Sequence, residues 1–163
     1  MICPRNIMKE SILIREVLEE SEENDELIEI PLTMIRYPVL LGVIDFCFHH
    51  YNEKLKSKEI EKVEPEIPKP ISNSVKLSEV LTEFDFNLFM KLTRLNIHTE
   101  CYLASNYFNI PYMLIMMASG IGQIMKGKDY LEIREFLGTA TDMTKEQEDI
   151  IKEENRPYEE VVE

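Results

Sequence analysis

The amino-acid sequence predicts a mainly helical chain with one short strand, split by a charged insertion. Apolar residues recur at a 3.6-residue period over much of its length. One short run alternates apolar and polar residues instead, and one stretch is too charged and proline-dotted to order itself. At 163 residues the chain is one domain, or one domain with an appendage. A chain of that length buries about 68–70% of its unfolded surface, so it needs no metal or disulfide to fold.

Met8, Ile12, Leu13, Val17 and Leu18 share one side of a helix from Met8 to Glu20, and Ile14 widens the stripe. The acidic run SEENDE then reads as a solvated loop. LIEIPL is short, alternating and closed by Pro31, so it reads as a strand. Pro38 suits the first residue of a helix because it has no N–H to satisfy, and Val39, Leu40, Val43, Ile44 and Cys47 form that helix's apolar face to about Tyr51. From Glu53 to Pro70 the chain is charged and poor in aromatics, the heart of a flexible insertion at about 53–82. A recognition segment is the alternative reading of that insertion. FDFNLF follows, then a helix over about Thr93–Tyr107 and another over Pro111–Met125. Asp129 with Glu132, and Thr144 with Gln147, stand at capping-box spacing and start two short helices. Ile133, Phe136 and Leu137 stripe the first, and Ile150 and Ile151 stripe the second. The chain shows no internal repeat.

Lys and Arg total 18 against 31 Asp and Glu, a net charge of −13. Phosphate binding requires clustered bases, so nucleic acid and anionic membrane are excluded as direct partners. The N-terminal stretch has no uninterrupted apolar region of the secretory type. The longest apolar run, IPYMLIMMASGIG, is well short of the roughly 20 residues that span a bilayer. Three cysteines without framework spacing fit a reducing compartment, cytoplasm or nucleus.

Several patterns resemble chemistry. GQIMKGKD, Gly122 to Asp129, falls one residue short of a phosphate-binding loop, with Asp129 where a hydroxyl would hold Mg²⁺. Gly127 reads better as a helix stop. Cys47 with His50, and His98 with Cys101, could together offer four zinc ligands; the plainer reading is buried cysteines with partly exposed histidines, and no metal or cofactor is expected. Met113, Met116, Met117 and Met125 read as core, with an adaptable groove for a partner helix as the alternative. No nucleophile–base pair is visible, so the residues describe an acidic, mostly helical interaction domain rather than an enzyme.

SNYFNI, QIMKGKDYLEIREFL and DMTKEQEDIIKEEN occur in that order with short spacers. They resemble the S-phase-kinase-associated adaptor family, the small subunit joining F-box proteins to cullins in SCF ubiquitin ligases. IPLTMIRYPVLLGVIDFCFHH resembles that family's strand and third helix, and MKESILIREVLEE its first helix. The resemblance implies an α/β BTB/POZ core, a small sheet plus helices over 1–125, and a C-terminal F-box-binding helical extension over 126–163. It implies that Asn106 and Tyr107 meet the cullin. Ordinary core is the competing reading of Tyr107. Ile124, Met125, Ile133, Phe136, Leu137, Ile150, Ile151, Glu154 and Asn155 are expected to form an apolar trough with a polar end for the F-box. The chain departs from the family pattern where Phe84 replaces a Trp and Arg156-Pro157 replaces another. The family's N-terminal hairpin is expected to lack or shorten at least one strand. A BTB-fold orphan or elongin C-like adaptor that has lost one partner is the alternative.

Overall fold

The computed structural model describes residues 2–20, 27–56, 67, 75–140 and 143–159. Its helices are α1 (Arg5–Met8), α2 (Ile12–Glu20), α3 (Tyr37–Lys56), α4 (Leu77–Val80), α5 (Glu83–Arg94), α6 (His98–Tyr107), α7 (Pro111–Met125), α8 (Tyr130–Leu137) and α9 (Lys145–Glu159). They fall into two compact units, Met1–Lys126 and Gly127–Glu163.

The core of the first unit is built on α3, α5, α6 and α7. Phe46, Phe89, Leu92, Phe108, Met113, Met116 and Met117 are its largest fully buried apolar side chains. Three of the four methionines in the α7 stripe are therefore core, while Met125 is half-buried at the helix end. Thioether side chains suit this role because they fill irregular gaps between aromatic rings.

The single helix expected from Met8 to Glu20 is two helices. Ser11 is fully buried between them. Its hydroxyl accepts from the Ile14 N–H at 3.1 Å, a helix cap, and donates to the Phe108 carbonyl at 2.5 Å. The Ile12 N–H donates to the Asn109 carbonyl, closing the junction against the end of α6.

The helix expected over Thr93–Tyr107 is also divided. FDFNLF belongs to α5, which Thr82 caps by accepting from the Asp85 N–H. Asn96 then turns the chain at φ +52°, and Asn109 does the same after α6 at φ +50°. Asparagine tolerates this left-handed region better than most residues. Both turns have the same wiring. Ile97 donates to the Leu92 carbonyl and Ile110 to that of Ser105, and each isoleucine is buried.

LIEIPL is not a strand among the described residues. Ile28, Ile30 and Leu32 turn inward while Leu27, Glu29 and Pro31 face out, so the alternation is real. From Leu27 to Leu32 no described residue belongs to a ladder or bridge, and the chain goes directly into a turn at Thr33–Met34. A strand exists only where a neighbour supplies the ladder, and the expected small sheet has no second strand here. A cavity of about 1020 Å³ adjoins this segment, lined among others by Cys3, Ile14, Ile30 and Ile44.

The insertion expected at about 53–82 is helical at both described edges. Glu53–Lys56 complete α3, and α4 lies inside the expected stretch with Leu77 and Leu81 buried. Residues 57–66 and 68–74, and the SEENDE run, lie outside the described residues.

Candidate functional site

Asn106 and Tyr107 occupy the last turn of α6, and both are exposed. Tyr107 is not core: 53% of it is accessible. Its ring meets Phe108 edge-on at 5.4 Å, and Phe108 is fully buried. The turn below holds the pair in place, because the Asn109 N–H donates to the Asn106 carbonyl. Leu103, one turn earlier, is also exposed. A further turn back, Glu100 takes the Arg36 guanidinium through both carboxylate oxygens, and that hydrogen bonding lowers the Glu100 pKa. The length of α6 thus presents an acid–base pair in its first turn, an aliphatic side chain in the middle and an exposed tyrosine at its end. Tyrosine at such a place offers a large apolar ring and a polar tip.

Ile124 and Met125 lie at the end of α7 in the first unit. Both are half-buried, Ile124 against the core. Lys126 already leaves the helical region, at φ −59° and ψ 130°, and Gly127 follows it at φ +70° in the turn just past the helix end.

The second unit is built on strong local signals. Asp129 and Glu132 form a reciprocal capping box at the start of α8. Gly138 stops α8 at φ +67°, where the Thr139 N–H donates to the Arg134 carbonyl. Thr144 and Gln147 cap α9 in the same reciprocal way. Arg134 bridges to Glu148 at 3.1 Å, and Lys152 sits 5.9 Å from the centre of the Tyr130 ring, so two contacts tie α8 to α9.

Ile133, Phe136 and Leu137 are half-buried, and Ile150, Ile151, Glu154 and Asn155 are exposed. No described side chain of this unit is buried. Among its described residues the unit therefore carries helix-spaced apolar side chains and no core.

The zinc pattern is met by packing. Among the described residues no group of three or more His, Cys, Asp or Glu could hold a metal ion. Burial pushes the Cys47 and Cys101 thiols up to about 12, so neither is poised as a thiolate. Both histidines, expected partly exposed, are only 2% accessible. His50 Nε2 donates to Asp85 Oδ1 at 2.8 Å, and Asp85 Oδ2 accepts from the Tyr112 hydroxyl at 3.0 Å and the Thr82 hydroxyl at 2.7 Å. His49 stacks on Phe84 at 3.6 Å between ring centres, in the place where the family pattern has a Trp. Sequence reasoning missed this network, because its members are up to 62 residues apart (50 to 112) and none sits in a recognisable motif. Among the described residues no helix is long and apolar enough to cross a membrane.

The fold and its two exposed surfaces define an interaction protein, a helical core bearing a small appended helical unit. The model of the Skp1 family dimerisation domain matches residues 112–156. An S-phase kinase-associated protein 1 homolog of Tetrahymena thermophila is 30% identical over 154 residues, 94% of this chain and 84% of that protein. The E3 ubiquitin ligase complex SCF subunit sconC of Neosartorya fischeri is 32% identical over 156 residues, 96% of this chain and 89% of that protein. The sconC subunit of Talaromyces marneffei is 30% identical over 151 residues, covering 93% and 85%. This chain belongs to the Skp1 family.

Proposed function

We propose that this chain is the adaptor subunit of an SCF-type E3 ubiquitin ligase, joining a cullin to F-box substrate receptors through a BTB/POZ-type core and its C-terminal unit. The observation that carries this reading is the unit of α8 and α9. It displays Ile150 and Ile151 to solvent, half-covers Ile133, Phe136 and Leu137, and fully buries no described side chain. Short helices without a core are marginal in water and gain stability when a partner helix completes their packing. The F-box is that partner, and Glu154 and Asn155 supply the polar rim. The end of α6 is the cullin surface. The net charge of −13 favours basic partner faces and raises association rates more than affinity. Such an adaptor works in the cytoplasm or nucleus.

Two outcomes test the two surfaces separately. The double change Asn106→Ala/Tyr107→Ala is expected to weaken cullin binding by about 2 kcal/mol or more while leaving the melting temperature nearly unchanged. Unaltered cullin affinity, measured by calorimetry, would remove α6 from the interface. Ile150→Lys/Ile151→Lys is expected to weaken binding of an F-box peptide more than about tenfold and to leave cullin binding intact. Hydrogen exchange should show new protection over Tyr130–Leu137 and Lys145–Asn155 when the F-box is added, and none at Asn106–Tyr107. Full protection of α9 without any partner contradicts the reading.

A further inference from the structure

The second unit has to hold two acidic helices together, and among its described residues no side chain is buried. Helix α8 sets Glu132 and Glu135 against Arg134 alone, and α9 sets six acids against three bases, so the helices repel as wholes. Two cross-helix contacts oppose that repulsion. Arg134 Nη1 donates to Glu148 Oε1 at 3.1 Å, with only 25% and 19% of the two side chains accessible. Lys152 Nζ lies 5.9 Å from the centre of the Tyr130 ring, and hydrogen bonding to Tyr130 raises the Lys152 pKa.

The spacing of these four residues makes the two contacts act together. Tyr130 and Arg134 stand four residues apart on α8, and Glu148 and Lys152 four apart on α9, so each couple shares one side of its helix. The earlier residue on α8 meets the later one on α9, which is the order an antiparallel pair of helices requires. One contact alone leaves α9 free to swing about it. Two contacts about 6 Å apart along the helix axis fix its direction as well. Ile133 and Leu137 follow Tyr130 and Arg134 by three residues, and Ile151 follows Glu148 by three. The apolar side chains therefore adjoin the polar line on both helices. The angle that the contacts set is the angle at which Ile133, Leu137 and Ile151 are presented.

We propose that Tyr130, Arg134, Glu148 and Lys152 are positioning residues, a two-rung polar clasp that presets α9 against α8 and so raises the unit's affinity for the F-box without touching it. The proposal rests on the adaptor reading for the identity of the partner. Its physical basis is preorganisation. A surface that is correctly arranged only part of the time binds more weakly by that fraction, and in a unit with no buried side chain among its described residues the clasp raises the fraction.

Calorimetry of the full chain with an F-box peptide tests it through variants that keep the net charge at −13. Arg134→Gln/Glu148→Gln removes one rung, and affinity should fall about three- to fivefold. Arg134→Glu/Glu148→Arg rebuilds the pair with its signs reversed and should recover most of that loss. Tyr130→Leu should cost about twofold. The gap between the native and Gln/Gln chains should narrow as NaCl is raised from about 20 to 500 mM, since only the native chain has a pair to screen. Cullin binding should stay unchanged in every variant. A second readout needs no partner. Nitroxide labels at Glu135→Cys and Glu153→Cys, in a Cys3→Ser background that leaves only the buried Cys47 and Cys101, report the distance from α8 to α9 in the free chain. The distance distribution should be narrow in the native pair, broad in Gln/Gln and narrow again in the reversed pair.

Equal affinities and equal distributions in the native and Gln/Gln chains overturn the proposal. A reversed pair that restores the distance but not the affinity also overturns it, because Arg134 and Glu148 would then touch the F-box themselves. A reversed pair that restores neither shows that charge pairing does not set the geometry, and overturns it too. If the native chain does not bind the F-box peptide at all, the adaptor reading fails, and the clasp stands or falls on the distance distributions alone.

Discussion

Replacing Asp85 by alanine is expected to destabilise the first unit by about 3–5 kcal/mol, the cost of removing one partner from a buried charged cluster. Asp85 is fully buried on α5 and accepts three side-chain hydrogen bonds, from His50, Tyr112 and Thr82. Its loss strands His50, whose Nδ1 has no hydrogen-bond partner among the described residues, and leaves the imidazole with neither ring nitrogen bonded within that cluster. Burial alone would raise the Asp85 pKa. The hydrogen bond and charge of His50, with the Thr82 and Tyr112 hydroxyls, outweigh it and hold the carboxyl below its ordinary value. The sign follows by linkage. A carboxyl whose folded pKa is depressed stabilises the fold above its unfolded value, about 3.9, and loses that contribution as pH falls through the folded pKa. His49 acts in the same direction at higher pH. Desolvation, followed by the neighbouring His50, lowers its pKa from 6.5, so the unfolded chain takes up that proton first as the solution is acidified. Melting curves between pH 7 and pH 3 should therefore show a shallow loss below about pH 6.5 and a steeper one below about pH 4. Asp85→Asn should flatten the steeper phase. Persistence of the full acid transition in Asp85→Asn would assign it to other carboxylates.

Phe89→Ala should cost about 3–5 kcal/mol, because the ring is fully buried at the centre of the core. The same ring explains Gly120 on α7. A Cβ there would lie 2.4 Å from two ring carbons of Phe89 and 2.7 Å from a third. Two effects compete in Gly120→Ala. Helix propensity favours alanine by about 1 kcal/mol, while overpacking a rigid, enclosed ring costs about 1–3 kcal/mol. Three ring atoms on a fully buried side chain have little room to yield, so the clash wins and the variant is net destabilised. In a Phe89→Leu background the obstruction is smaller and the propensity gain emerges, so the same change should become neutral or stabilising. Denaturant unfolding of the four-member cycle measures the coupling. Additive costs would show that Gly120 is not there to admit Phe89.

Some of the fold is legible directly in the residues. Pro111 opens α7 and Met125 closes it within the stretch expected. The caps of α8 and α9 are where the Asp129 and Thr144 signals place them. The adaptor segments over 105–110, 123–137 and 142–155 lead to the family to which the chain belongs. Other features were illegible. Ser11 is a local cap for Ile14, but the apolar stripe runs unbroken across it, and the bond that fixes the break goes to Phe108, 97 residues away. The exposure of Tyr107 depended on which side of α6 the core claimed, and sequence left both sides open.

The sequence by itself determined helix identity, the caps of the second unit and the family, because periodicity and capping act between residues three or four positions apart. The tertiary structure decided where helices break, whether LIEIPL finds a ladder, and which histidine meets which acid. Those outcomes depend on partners far away in the chain, such as Asp85, 35 residues from His50 and 27 from Tyr112. A buried polar group must find its partner wherever the packing of the apolar core brings one, and no local pattern carries that address.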